Sequence, residues 1–146
     1  GHVGRAVTVA GLGALLRGDR AVVGERVGTA VARTGYTLAE LAATGCYLEY
    51  DLFGNESSYY PPNPKVDMPS DAQRMDVVLW HFENGLERRV LLSHDIATKH
   101  RLREYGGLGY DHLVTNLIPR FRQRGLGEAD IATLFVENPR DAFVFA

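Results

Sequence analysis

The chain has 146 residues, 45% hydrophobic and 23% charged, with a formal net charge of −2. That balance is ordinary for a soluble globular domain and provides no strong field toward nucleic acid or an anionic membrane. No run approaches the roughly 18 apolar residues that span a bilayer, no signal peptide is visible, and the single cysteine, Cys46, cannot close an internal disulfide, so a reducing, cytoplasmic setting is expected.

In chain order, the first segment is Gly1-His2-Val3-Gly4-Arg5, and the lack of an initiator Met suggests that Gly1 is not a natural start. Residues 6–35 contain no aromatic and no lysine. Their scattered glycines each weaken a helix by roughly 1 kcal/mol relative to alanine. The stretch GLGALL lacks the third glycine of a dinucleotide fingerprint, and no strand leads into it, so no organic cofactor site is expected. Residues 6–33 read as a loosely ordered insertion. Thr37 with Glu40 forms a capping box that opens a helix, and Gly45 stops it. Cys46–Phe53 is an apolar, aromatic-rich run of strand length, and Cys46 reads as a small buried apolar residue.

Ser70 with Gln73 makes a second capping box. The helix behind it carries Met75, Val78, Leu79 and Phe82 on one stripe and ends at Gly85; Trp80 and Phe82 are core candidates. Val90–Asp95 is a second strand, and Tyr105–His112, with Gly106, Gly107 and Gly109, reads as a flexible loop. Leu113, Leu117, Ile118 and Phe121 suggest a third helix that Pro119 should kink or divide. Gly127–Phe135 suggests a fourth. Asn138-Pro139 reads as the cap and first position of a last short helix.

Strands alternating with helices imply βαβ units and a parallel sheet. Two strands are too few to close one, and a complete α/β barrel takes about 250 residues. The chain therefore reads as the C-terminal part of something larger.

In parallel α/β folds the carboxyl ends of the strands form the active face. Asp95 ends one apolar run, Asp51 nearly ends the other, and His2 stands where a preceding strand could have ended. Asp51 and Asp95 are thus expected at the same end of adjacent parallel strands. Carboxylate and imidazole at neighbouring strand ends suit a divalent cation. Side chains alternate along a strand, so Ser93 and Asp95 share a face and Asp95 is a better inward ligand than His94. The plainer alternatives stay open: an aspartate after a strand is often a turn former or helix cap, Asp51 could serve only to satisfy buried backbone donors, and His94, His100 and His112 read as structural or surface histidines.

With GHVGR at the start, TGYTLAELAATGCYLEYDLFG, MPSDAQR, RVLLSHDIATKHRLREYGGLGYDHLVTNLIPRFRQRG and VENPRDAF, the chain resembles the C-terminal portion of the phosphotriesterase family, in the amidohydrolase superfamily of metal-dependent barrels. The similarity runs almost continuously from Thr34 to Phe145 and is closest to the phosphotriesterase-related branch.

The resemblance implies a (β/α)8 TIM barrel, present here from the end of strand six through strand eight and the terminal helices, with 1–146 a partial metal-dependent hydrolase barrel. It implies two divalent cations, zinc by family habit, bridged by hydroxide. His2 and Asp95 are the implied metal ligands, and Asp95 the implied catalytic carboxylate that takes a proton from the bridging water. Asp51 and Arg5 lie on the substrate side of the implied site. Metal-assisted hydrolysis of an ester, lactone, amide or phosphotriester follows. The family's first-strand histidine pair, fourth-strand bridging carboxylate and fifth-strand histidine have no counterpart in this chain, so the chain alone is expected to be inactive. The alternative is an incomplete module with a non-enzymatic or interaction role. Organophosphate-cleaving relatives have an acidic residue where this chain has Arg5 and a histidine where it has Leu52. Their proton relay is therefore not implied here. The implied partner is a small-molecule substrate, with no nucleic acid and no membrane; the resemblance allows a homodimer.

Overall fold

Tyr47–Tyr50 and Val90–Leu92 are the β2 and β5 strands of a parallel sheet, in the register Leu48↔Val90, Glu49↔Leu91 and Tyr50↔Leu92. The structure is a computed structural model that describes residues 6–8, 47–56, 59–60 and 63–143. A third strand, β1 (Ala6–Thr8), pairs in parallel with the other side of β2, giving the sheet order β1-β2-β5. These three residues lie within 6–33, where the sequence predicts a loosely ordered insertion. Their backbone pairs with β2 in the register Ala6↔Tyr47, Val7↔Leu48 and Thr8↔Glu49.

Alternation along the strands sorts the residues by face. Leu48, Tyr50 and Val90 enter one core cluster with Met75, Val77, Val78, Leu113, Leu117, Phe121, Leu126, Ile131 and Leu134. Tyr47, Glu49 and Leu91 occupy the alternate positions, and Arg89 stacks its guanidinium over the Tyr47 ring at 5.0 Å. A short antiparallel hairpin, β3 (Tyr59–Tyr60) with β4 (Asn63–Asp67), joins the sheet region to the first described helix. The sequence reading has no strand there.

The helix α1 (Asp71–Glu83) begins as the capping-box signal predicts. Ser70 Oγ accepts from Gln73 N, and Gln73 Oε1 accepts from Ser70 N. Asn84 caps its end and Gly85 turns the chain with φ +67°. Met75 and Val78 are fully buried as expected. Val77 and His81 join them, while Leu79 and Phe82 pack at the edge.

The C-terminal third is helical: α2 (Ile118–Gln123), α3 (Glu128–Ala132) and α4 (Asn138–Phe143). Wide π turns, Leu113–Leu117 and Thr133–Glu137, lead into α2 and α4. Each ends two residues before a proline. The N–H of Ile118 reaches Leu113 O and that of Asn138 reaches Thr133 O. A proline ring crowds the carbonyl four residues back in a regular α-helix. Widening the turn ahead of Pro119 and Pro139 relieves that crowding, so the helix continues past Pro119 instead of dividing.

Asn138 is not the predicted N-cap. Its backbone is helical, and its buried side chain crosses the molecule: Nδ2 donates to Glu87 O at 2.7 Å and to Val90 O at 2.9 Å. This pins α4 to the entry of β5. Among the described residues no helix is long and apolar enough to cross a membrane.

Candidate functional site

Because β2 and β5 are parallel neighbours, Asp51, directly after β2, and Asp95, just past β5, both lie at the carboxyl end of the sheet. The ladder continues beyond the strands: Ser93 N donates to Tyr50 O at 2.9 Å and Phe53 N to Ser93 O at 3.2 Å. The chain then leaves each strand through a left-handed residue, Leu52 (φ 66°) and Asp95 (φ 47°). Aspartate tolerates this region, whereas a leucine there is a conformational outlier. Such strain persists only where surrounding structure imposes it. Leu52 is buried, and Asn55 N closes the turn onto its carbonyl at 2.9 Å.

The two carboxylates interact. Asp51 is half-buried and its pKa is pushed up to about 6, first by burial, then by the charges of Asp95 and Glu49, with Arg74 opposing. Asp95 is exposed. Among the described residues neither aspartate forms an ion pair. The donor chemistry suits a divalent cation: two hard oxygen donors at one strand end, whose mutual repulsion a dication relieves. Among the described residues no group of three or more His, Cys, Asp or Glu side chains could hold an ion. His2 and Arg5 lie outside the described residues, as do Cys46 and the Thr37–Glu40 capping box.

Beneath this end of the sheet lies a buried polar network that the sequence reading misses. Asp71, 2% exposed, accepts from Gly54 N at 2.9 Å, from Arg74 Nη1 at 2.9 Å and from His112 Nε2 at 2.6 Å. Its own N–H donates to Glu56 Oε1 at 2.7 Å. Arg74 Nη2 donates to Asn55 O at 3.0 Å. Asn116 Nδ2 donates to His112 Nδ1 at 2.9 Å, which leaves the hydrogen on Nε2 facing Asp71. One carboxylate thus joins the turn after β2, the first turn of α1 and the segment before the π turn. The Asp71–Arg74 spacing, three residues apart on a helix, is the only local trace of it.

The histidines sort by environment. His112 is buried in this network, and His100 is exposed. His94 is half-buried and accepts from Leu113 N at 3.2 Å; burial, then the neighbouring His112, lower its pKa. His81, which the sequence does not single out, is fully buried on α1 and shares a 2.5 Å hydrogen bond with the Tyr50 hydroxyl. Burial lowers its pKa to about 4 and raises that of Tyr50 well above the usual phenol range.

The model of the phosphotriesterase family matches residues 19–143, which takes in 19–33 of the segment that the sequence reads as a loosely ordered insertion. N-acetyltaurine hydrolase of Bos taurus is 46% identical over 108 residues, 74% of this chain and 31% of that protein. A phosphotriesterase-related protein of Drosophila persimilis is 50% identical over 108 residues, with the same coverage. The chain therefore spans about a third of the length of the curated relatives it matches. Among solved structures, a resiniferatoxin-binding protein from Rhodobacter sphaeroides superposes with a TM-score of 0.70 at 31% identity, over 96% of this chain and 41% of that one. The phosphotriesterase homology protein from Escherichia coli, complexed with phosphate in its active site, gives 0.61 at 27% identity, over 84% and 44%.

Proposed function

The chain belongs to the phosphotriesterase family, and from that membership we propose that it carries the C-terminal part of a metal-dependent hydrolase barrel. The observation that supports this best is the meeting of Asp51 and Asp95 at the carboxyl end of two parallel strands. Barrel enzymes do their chemistry at that face.

In this reading His2 and Asp95 are ligands to divalent cations, zinc by family habit. Two such ions, when bound, would acidify a shared water and polarise the scissile oxygen. Asp95 accepts the proton of the attacking water at a carboxylate oxygen. Asp51, with a pKa near 6, stands beside it, able to exchange that proton near neutral pH. Arg5 is a substrate-side candidate on the same reading. The family's hydrolases offer a substrate class to try first, an N-acyl amide, by analogy with N-acetyltaurine hydrolase. Water oxygen joins the acyl carbon, the carbon–nitrogen bond breaks, and the amine leaves with a proton. Ester, lactone and phosphotriester substrates complete the panel.

A second reading has its own support. The described residues hold no group of three ligands. On that reading it is a non-enzymatic remnant. The test measures zinc content and hydrolysis for the 146-residue chain and for the same chain completed with an N-terminal half bearing the missing ligands. We expect turnover only in the completed chain, abolished by His2→Ala or Asp95→Asn. A completed chain that binds metal yet hydrolyses none of the four substrate classes would favour the remnant.

A further inference from the structure

The left-handed backbone of Asp95 has an identifiable support. Arg101 Nη1 donates to Asp95 O at 2.6 Å and reaches toward His94 O at 3.4 Å. These two carbonyls belong to the peptide planes on either side of the Asp95 Cα. Each residue has only two soft backbone dihedrals, so holding both planes fixes φ and ψ of Asp95 and with them the direction of its side chain.

Arg101 is in turn held by the segment that the sequence reads as a flexible loop. Two 3-10 turns, Lys99–Arg101 and Arg103–Tyr105, lead into it. Gly109 N donates to Arg101 O at 2.9 Å and Gly107 N to Leu102 O at 3.0 Å. A Cβ on Gly107 would stand 2.1 Å from the Arg101 carbonyl carbon, so only glycine fits against that backbone. Arg103 closes the turn with two contacts to Asp111, Nε to Oδ1 at 2.9 Å and Nη2 to Oδ2 at 2.8 Å.

The Arg101 side chain is not placed for ion pairing. Among the described residues it joins no salt bridge, and its Nε is buried without a partner. An arginine that grips a carboxylate usually does so with a two-pronged fork of N–H donors. A buried donor left unmet calls for a reason other than stability. Here the guanidinium faces the two carbonyls that flank Asp95.

We propose that Arg101, seated on the glycine turn at 106–109, is a positioning residue that clamps the 94–95 backbone and presents the Asp95 carboxylate beside Asp51. The proposal rests on the reading of Asp95 as a cation ligand. The experiment uses the isotopically labelled 146-residue chain, with Mn2+ as the probe. The Asp95 backbone carbon shifts report its left-handed conformation, and Mn2+ titration reports line broadening at Asp51 and Asp95. In Arg101→Met we expect the Asp95 shifts to leave the left-handed range and Mn2+ affinity at Asp95 to fall about tenfold, as for other residues that orient a metal ligand. Arg101→Lys keeps one charged donor and should recover most of both. Unchanged Asp95 shifts in Arg101→Met overturn the clamp. Altered shifts with unchanged Mn2+ affinity overturn the positioning role. If Mn2+ does not broaden Asp95 in the native chain, the cation reading fails by itself, and the clamp is judged on the shifts. If Arg101→Met does not fold, Arg101→Gln decides on the same two readouts.

Discussion

His112 Nε2 donates to Asp71 Oδ2 at 2.6 Å across 41 residues, tying the approach to the last helices to the first turn of α1. Both side chains are nearly solvent-free. The same carboxylate holds Gly54 N and Arg74, so its loss strands three donors, one of them a guanidinium. Removing one partner of a buried charged pair costs about 3–5 kcal/mol. Asp71→Ala should therefore lower unfolding stability by that amount in urea denaturation. A loss under about 1 kcal/mol would mean that the donors find other partners or water.

The pH dependence of stability should carry the signature of His81. Its folded pKa is near 4, below the unfolded value of about 6.5. A histidine with a depressed folded pKa contributes stability above the unfolded pKa, and that stability is lost as pH falls through the window from 6.5 to about 4. The gap corresponds to about 3 kcal/mol at full extent. His94, also lowered, acts in the same direction, and Asp51 acts in the opposite one. The difference between native chain and His81→Phe isolates the His81 share. That difference should shrink by about 3 kcal/mol between pH 7 and pH 4, and a constant difference would show that His81 is charged without penalty.

Asp51 should trade stability for activity. Its pKa of about 6 lies above the ordinary carboxylate value. A raised acid contributes stability below its unfolded pKa, near 3.8, and loses it as pH rises to about 6. At pH 7 the charged carboxylate therefore destabilises the fold. Discounted for its partial solvent exposure, Asp51→Asn should gain on the order of 2 kcal/mol at pH 7 and little at pH 4. In a completed barrel the same change should reduce turnover, as expected of a residue kept for function. Equal denaturation midpoints at pH 7 would contradict the electrostatic account.

Asn138 should behave as a structural staple. Its Nδ2 serves two carbonyls at the start of β5 from a side chain 1% exposed. Asn138→Ala removes both bonds and leaves buried acceptors unmet, a cost of about 2–3 kcal/mol. Asn138→Asp should be worse, because it turns a carboxylate toward those carbonyls. Amide exchange would show the effect first in α4 and β5. Protection retained there in Asn138→Ala would overturn the staple.

Much of the local structure is determined by the sequence itself. The Ser70–Gln73 box, the Gly85 stop and the two apolar runs act within a turn or strand of themselves, so their outcome is readable residue by residue. The parallel order of β2 and β5 follows from the helix between them, and with it the shared end of Asp51 and Asp95. The tertiary structure decided what those signals leave open. Asn138 has a cap-forming side chain, but its better partners are carbonyls 48 and 51 residues away. Pro119 promises a kink, yet packing of Leu117 and Phe121 into the core holds the helix together, with a widened turn absorbing the ring. The glycines at 106–109 promise flexibility, but the close approach of Gly107 to Arg101 gives a tightly closed turn. Asp71, His81 and Arg101 are ordinary helix or loop residues in the sequence. Their roles come from hydrogen-bond partners that only folding brings within 3 Å, because buried donors and acceptors must be matched wherever the chain places them.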